Sequence, residues 1–187
     1  MMRKDQSGVI TLEACISVLM FLLLMLLLSG LFLMFMAQTV TAHVVLETTE
    51  SMSLEAYSLE KLAVDEGTIG GVGDQLGKLV SSWFGNAEKS PNFVSAKKWY
   101  DGDDKEIAAA IKERFVGYLS GGDEAKADKL LTMMNVVNGL DGLDFSQSYV
   151  EDDTLHVFLA YKLKYNFNIG PLKDVPVEQT ACSKLWK

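Results

Sequence analysis

Histidine and cysteine are scarce in this chain, which has two of each among 187 residues. Cys15 and Cys182 lie near opposite ends of the sequence, and His43 and His156 are equally isolated. This spacing provides no zinc-ligand set, and neither a G-x-S-x-G nor an H-E-x-x-H motif occurs. These absences favour a protein that is not an enzyme and that uses no metal ion or cofactor. We expect Cys182 to be a buried strand residue, with an interchain disulfide as the alternative.

Two short segments come close to ligand-binding loops but lack the residues that such loops require. In the glycine-rich segment 67–77, a P-loop would need glycine at position 72 and serine or threonine at position 79, where the chain has Val72 and Leu79. The acidic run that contains Asp103 and Asp104 lacks the spacing and the final glutamate of an EF-hand. We therefore expect a linker at 67–77 and a helix capped by Asp103 or Asp104.

Basic residues are in the minority, with 17 lysines and arginines against 25 aspartates and glutamates and a formal net charge of −8. Arg3 and Lys4 offset Asp5 and Glu13, so the excess negative charge follows the N-terminal apolar segment. An acidic domain lacks the positive surface that nucleic acid or an anionic membrane surface attracts. We therefore expect no nucleic-acid partner.

What the chain does contain is a long uncharged run from Ala14 to Ala37. As a helix this run would measure about 36 Å, more than the hydrocarbon core of a bilayer, about 30 Å thick, and it is apolar on every side. It is longer than the apolar part of a secretory signal peptide, and Gln38–Ala42 offers no A-x-A cleavage site. A buried core helix is the other alternative. We predict a transmembrane helix over about 12–37.

The charges on the two flanks predict the orientation of this helix. Arg3 and Lys4 precede it, whereas the first charged residue after it is Glu47. Because basic flanking residues stay on the cytoplasmic side, we expect a single-pass membrane protein. Its N-terminus would be cytoplasmic and its C-terminal domain extracytoplasmic.

Glu13 stands at the entrance of the apolar run, five positions after Gly8. An unpaired carboxylate at that depth costs on the order of 1–3 kcal/mol. A position at the membrane interface, near the positive end of the helix dipole, is one explanation. The other is a resemblance: a short basic leader ending in Gly8, then Glu13, then an apolar helix, is similar to the processing signal of type IV pilin-like proteins. The segment from Gly8 to Ala14 most resembles the TadE-like pseudopilins, or minor pilins, of Tad (tight adherence) pili.

This resemblance implies that a prepilin peptidase cuts between Gly8 and Val9, and that Glu13 then neutralises the new amino group of Val9 in a neighbouring subunit. It implies a non-enzymatic role in assembling a Tad-type pilus or a related secretion filament at the cell surface. The implied partners are membrane lipid, other pilin or pseudopilin subunits and the pilus assembly platform. The match covers Gly8 to about Ala37. Val9 and Ala14 replace the phenylalanine and tyrosine common in the main pilin subunits, and those of the Flp type are also far shorter, which favours a minor subunit.

Other functions stay open at this point. An unprocessed bitopic membrane protein would bind a ligand or a partner through its outer domain, without cleavage. A pseudopilin of a competence or type II secretion system would share the same leader. An anchored extracytoplasmic enzyme is the weakest alternative, because no sequence motif supports it.

The sequence predicts an α+β protein with a pilin-like layout in four segments. These are a leader at 1–8, a transmembrane helix that continues as a stalk helix over 9–66, a glycine-rich linker at 67–77 and an extracytoplasmic domain at 78–187. The domain would have two or three helices packed on a C-terminal three-stranded antiparallel sheet.

Residue periodicity and turn signals place the elements of the domain. Arg114 is expected on the solvent side of its helix, whereas Asp123 would cap the next helix. Lys162 and Lys164 mark one solvent-exposed face of the second strand. The predicted helices are 78–84, 104–119 and 123–137, and the predicted strands are 143–150, 155–165 and 175–186.

Overall fold

The computed structural model describes residues 7–63, 99–165 and 174–185, with side chains described from Ile10 to Tyr57 in the first range. The described chain has an α+β layout of one long helix, two shorter helices and a C-terminal sheet. The predicted linker at 67–77 and the predicted helix at 78–84 lie outside the described residues, as do Arg3 and Lys4 of the leader.

A single helix, α1, runs from Ser7 to Ala63, so the apolar helix predicted over about 12–37 continues without a break into the segment predicted as a stalk helix. Its apolar residues propagate a helix well, and neither proline nor glycine occurs from Leu31 to the end of α1. The hydroxyl groups of Ser17 and Ser29 donate to the backbone carbonyls of the preceding turn at 2.9 Å in each case. These polar groups are therefore satisfied inside the helix without water.

The two halves of α1 lie in different surroundings. Every side chain from Ile10 to Ser29 is exposed, whereas from Gly30 onward one face of the helix is buried. The second half therefore packs against the rest of the protein, as predicted. The buried residues on this inner face are Gly30, Ala37, Thr41, Val44, Val45, Thr48, Thr49, Met52, Ser53, Glu55 and Ala56.

The sheet has three antiparallel strands in the order β1-β2-β3. They are β1 (Tyr149–Glu151), β2 (Thr154–Lys164) and β3 (Asp174–Lys184). Asp152 and Asp153 join β1 to β2 with φ of 47° and 57°, the paired left-handed conformations of a two-residue hairpin turn. The second and third strands agree with their predicted ranges to within two residues.

Of the first strand predicted at 143–150, only the end is confirmed, because only Tyr149–Glu151 pairs regularly with β2. Asp144 instead forms an isolated bridge in which its backbone N–H and C=O both bond Ala160, each at 2.9 Å. Its carboxylate accepts the backbone N–H of Ser146 at 2.9 Å. The chain therefore turns where a strand would continue, and the hydrogen bonds from Ser146 hold the pKa of the Asp144 carboxyl below its usual value.

The helix predicted at 104–119 is confirmed as α2, which spans Asp104–Ser120. Gly121 follows it with φ of 75°, a left-handed conformation that ends helices and that glycine adopts without strain. Asp103 occupies the N-cap position of α2, but its side chain makes no capping hydrogen bond. Its backbone carbonyl accepts the N–H of Ile107 at 3.0 Å instead.

The following helix, α3, spans Glu124–Met133, so its predicted end at residue 137 is wrong. Asp123 caps it as predicted, with a carboxylate oxygen 3.1 Å from the backbone nitrogen of Lys126. Beyond Met133, Asn135 has a left-handed φ of 63°. The N–H of Val137 then bonds the carbonyl of Lys162 in β2 at 2.9 Å. Pairing with the edge of the sheet replaces the last helical turn.

The core lies between the inner face of α1, the helix α2 and one face of the sheet. Alternate residues of β2 from Leu155 to Leu163 are buried, whereas Lys162 and Lys164 are exposed, which confirms the predicted solvent-exposed face. Trp99 and Tyr100 are buried in a short 3-10 turn before α2. Other buried residues from α2, α3 and the chain that follows are Ile107, Ile111, Phe115, Ala127, Leu131, Met134, Leu143 and Phe145.

Candidate functional site

The residues that the pilin resemblance singles out lie at the start of α1. Gly8 and Val9 are in its first turn, and Glu13 follows one turn after Val9. The spacing of four residues puts Val9 and Glu13 on the same face of the helix, about 6 Å apart along its axis. Glu13 is exposed, and no described residue bonds or pairs with its carboxylate. This carboxylate is therefore available to a cation from outside the described chain.

Glu13 begins a helix half that has no other charge. The side chains from Ile10 to Ser29 are exposed on all sides and extend over about 30 Å. By its length and composition, α1 contains one segment, within Ile10–Tyr57, that is apolar enough to cross a membrane. The predicted apolar helix is therefore present, with Glu13 near its first turn.

The exposed half of α1 ends at Gly30, where the chain that leaves the end of β2 approaches the helix. A Cβ atom built on Gly30 would lie 3.1 Å from Cε2 of Tyr165, the residue that follows β2. Since ordinary carbon contacts are about 3.5–4.0 Å, any larger residue at this position would have to displace the aromatic ring. Gly30 therefore marks the boundary between the exposed half of α1 and the half that the sheet covers.

Hydrogen bonds connect the covered half of α1 to the sheet. The hydroxyl groups of Thr41 and Tyr161 are 2.8 Å apart in a buried position. Nε2 of Gln179 in β3 donates to the backbone carbonyl of Gln38 at 2.9 Å. Burial raises the pKa of the Tyr161 hydroxyl, and the hydrogen bond with Thr41 partly offsets this effect. The sheet is therefore held to α1 in one register by polar contacts as well as by apolar packing.

A buried ion pair connects α1 to α2. Arg114, expected on the solvent side of its helix, is only 1% exposed, so that prediction is wrong. Its Nη2 bonds Oε2 of Glu55, and its Nη1 donates to the hydroxyl of Ser51 at 2.9 Å. The two opposite charges compensate each other in the core, where either one alone would be strongly unfavourable.

The remaining histidines and cysteines do not assemble into a reactive group. His43 lies 3.3 Å from the carboxylate of Glu47 on the next turn of α1, and the ring of His156 stacks on Tyr149. Cys182 is exposed, so its predicted burial is wrong: it lies across from His156 on the sheet face that points away from α1. Within 7–63, 99–165 and 174–185, no three metal-binding side chains come together.

The contacts that position the sheet and α2 on α1 were not predicted from the sequence. The burial of Glu55 could have been predicted, since Glu55 lies three residues after Met52 and seven after Thr48, on the buried face of the helix. No local pattern identifies Arg114 as its partner or Tyr165 as the residue over Gly30, because both contacts join distant parts of the chain.

Comparisons with protein-family models, with curated proteins and with solved structures find no match to this chain.

Proposed function

We propose that this protein is a membrane-anchored pseudopilin or minor pilin that is processed between Gly8 and Val9 and then takes part in assembling a Tad-type pilus or a related secretion filament. The observation that carries the proposal is the first half of α1. It is an all-round apolar helix with one carboxylate, Glu13, that no described residue pairs. A membrane protein keeps such a charge when a partner neutralises it.

The partner in this proposal is the amino group that cleavage creates on Val9 of a neighbouring subunit. No lysine or arginine lies between Glu13 and Glu47, so the adjacent part of α1 offers no cation of its own. Two unit charges about 4 Å apart attract by about 4 kcal/mol at an effective dielectric constant of about 20. An unpaired carboxylate in the membrane has a free-energy cost on the order of 1–3 kcal/mol. The attraction between the two charges exceeds that cost.

The proposed topology places the leader, with Arg3 and Lys4, in the cytoplasm and the sheet domain outside it. A prepilin peptidase would act on the cytoplasmic side, and the domain would face the filament. The pilin-like character of the fold rests on the arrangement along α1, where helices and sheet cover the second half only. The first half is then available to membrane lipid before assembly, and to other pilin subunits and the assembly platform during it.

Replacement of the carboxylate tests this proposal directly. In the full chain, expressed with a prepilin peptidase and the other pilus components, Glu13→Gln and Glu13→Val are expected to be cleaved as the wild type is. Both variants should be strongly depleted from purified filaments, because the charge pair between subunits is lost. Glu50→Gln is the matched control, since Glu50 is an exposed carboxylate on the same helix at the level of the sheet. Normal incorporation of both Glu13 variants would remove the role proposed for Glu13.

Substitution of the leader glycine separates this function from that of an unprocessed anchored binding protein. Gly8→Ala is expected to block cleavage and to keep the protein in the membrane fraction, out of the filament. If Gly8→Ala changed neither the length of the protein nor its behaviour, an anchored ectodomain that binds a partner would be the better description.

A further inference from the structure

The sheet domain has a distinct end at the boundary with the exposed half of α1, and we call this end the base. It consists of Met133 at the end of α3, Asn135, Lys164 and Tyr165 at the end of β2, and Asp174 at the start of β3. The backbone N–H of Lys164 donates to the carbonyl of Asn135 at 2.8 Å. Lys164 and Asp174 are paired across the two strands. These contacts hold the ends of three elements at one level.

The base is the end of the domain nearest the apolar half of α1. Tyr165 contacts α1 at Gly30, whereas Lys184, at the far end of β3, accepts a hydrogen bond from the hydroxyl of Ser53 at 2.6 Å. The sheet therefore extends alongside α1 from Gly30 to Ser53, about 35 Å along the helix axis. Among the described residues of the sheet, a surface perpendicular to α1 at Gly30 would meet only those of the base.

The base exposes an apolar side chain that the rest of the described domain does not match. Met133 is 65% exposed, and among the described residues it is the large hydrophobic side chain outside α1 that stands in the exposed group. The charges around it are balanced, because exposed Lys164 lies opposite exposed Asp174. An exposed apolar residue at the same end of the domain as a balanced pair of charges suits the headgroup region of a phospholipid bilayer, which is itself zwitterionic and partly apolar.

The length of the exposed half of α1 agrees with this placement. From Ile10 to Ser29 the helix covers about 30 Å, the thickness of a bilayer's hydrocarbon core. Phe32 and Phe35 lie about half a turn and about one and a half turns beyond Gly30, and both are exposed on the side of α1 that the described domain leaves open. At that height they would lie in the headgroup region, which adds about 5–7 Å on each side of the hydrocarbon.

We infer that the base is a membrane-docking surface that rests on the phospholipid headgroups of the leaflet from which α1 emerges. The inference rests on the proposed membrane crossing by α1 and adds where the crossing ends. The hydrocarbon boundary lies at Gly30, not at Ala37 where the uncharged run ends. Met133 inserts among the headgroups, and Tyr165 lies at their level. The described part of the domain therefore begins at the bilayer surface, at the level where α1 leaves the hydrocarbon.

Depth measurements on the full chain test this inference. Single cysteines replace Met133, Leu28 or Leu54 in a background that carries Cys15→Ala and Cys182→Ser, and each is labelled with a nitroxide. The labelled protein is placed in phosphatidylcholine nanodiscs. Collision with oxygen, which concentrates in hydrocarbon, and with a water-soluble nickel chelate is then measured by electron paramagnetic resonance. Leu54, 66% exposed near the far end of the covered half of α1, is the aqueous reference.

We expect the label at Met133 to be several-fold less accessible to the nickel chelate than the label at Leu54, and the label at Leu28 to be accessible to oxygen only. If Met133 and Leu54 were equally accessible to nickel while Leu28 stayed protected, α1 would cross the bilayer but the base would not touch it. If Leu28 were accessible to nickel as well, the proposed membrane crossing itself would fail. The two failures are therefore distinguishable in one experiment.

Discussion

The two halves of α1 are continuous in backbone but differ in the side chains that they present. From Ile10 to Ser29, large apolar residues point in every direction and all are exposed. From Gly30 to Ala56, the buried face consists largely of glycine, alanine, serine, threonine and valine. Small residues let a sheet approach the helix closely, and their hydroxyl groups bond the sheet or the helix backbone.

This difference separates what the chain stabilises by itself from what its surroundings must supply. The covered half of α1 is held by a buried ion pair, by hydrogen bonds from Thr41 and Ser53, and by close contact at Gly30. No described residue covers the half from Ile10 to Ser29. Apolar burial is worth about 25 cal/mol per Å², so this half gains that stabilisation only where something outside the described chain covers it.

Breaking the ion pair should have the largest effect on the covered half. Arg114→Met leaves the Glu55 carboxylate buried without its cation, and we expect a loss of about 3–5 kcal/mol in the free energy of unfolding. Guanidinium unfolding of the full chain in detergent micelles, followed by tryptophan fluorescence, measures this loss.

Two further variants distinguish the ion pair from general damage to α2. Lys105→Met removes an exposed cation from the same helix and should change stability by less than about 0.5 kcal/mol. Glu55→Met combined with Arg114→Met removes both charges and should recover part of the loss. Equal effects of Arg114→Met and Lys105→Met would show that the buried pair does not hold α2 to α1.

Replacement of the boundary glycine should have the next largest effect. Gly30→Leu places a side chain against the ring of Tyr165, and we expect a loss of about 1–3 kcal/mol through overpacking. Ser29→Leu, one residue earlier on the exposed half, should be neutral within about 0.5 kcal/mol. The same unfolding assay compares the two variants. A Gly30→Leu variant as stable as Ser29→Leu would contradict the close contact and move the boundary.

Removal of one hydroxyl from the sheet contact should have a smaller effect. Tyr161→Phe loses the hydrogen bond with Thr41 and leaves that buried hydroxyl one partner short, which costs about 1 kcal/mol. Tyr149→Phe keeps its stacking on His156 and serves as the control, with little expected change. A loss of the same size in both variants would argue against a specific contact at Thr41.

The smallest expected effect is the pH dependence of this contact. The pKa of Tyr161 is raised in the folded protein, mainly by burial. Its contribution to stability is therefore complete below the unfolded pKa of about 10 and declines as pH rises from there through the higher folded pKa. Above pH 10, the midpoint temperature of thermal unfolding of the full chain should fall more steeply with pH for the wild type than for Tyr161→Phe. Parallel curves would contradict the raised pKa.

Sequence patterns predicted the helices and strands whose formation depends mainly on residues within the element itself. The long apolar run predicted the first part of α1, and the alternation around Lys162 predicted β2 with its exposed face. The helix and strand predicted within residues 134–148 were wrong there, because the backbone hydrogen bonds of this segment depend on β2, which lies later in the chain. Arg114 was misplaced for the same reason, since only the tertiary structure brings Glu55 to it.

The residues of the candidate site were predicted from the sequence, but the part of the structure that lies near them was not. Gly8, Val9 and Glu13 occupy the first turns of α1, and their functional roles stay predictions until the processed protein is observed. What no sequence pattern indicated is the position of Tyr165 over Gly30, from which the base of the domain and its distance from Glu13 follow.

The N-terminus of the protein isolated from its native host tests the central claim most directly. N-terminal sequencing, with intact mass as a check, should give a chain that begins at Val9 and carries a free amino group one turn from Glu13. A chain that still carries residues 1–8 would contradict the proposal, because no new cation would then be available to neutralise Glu13 in the membrane.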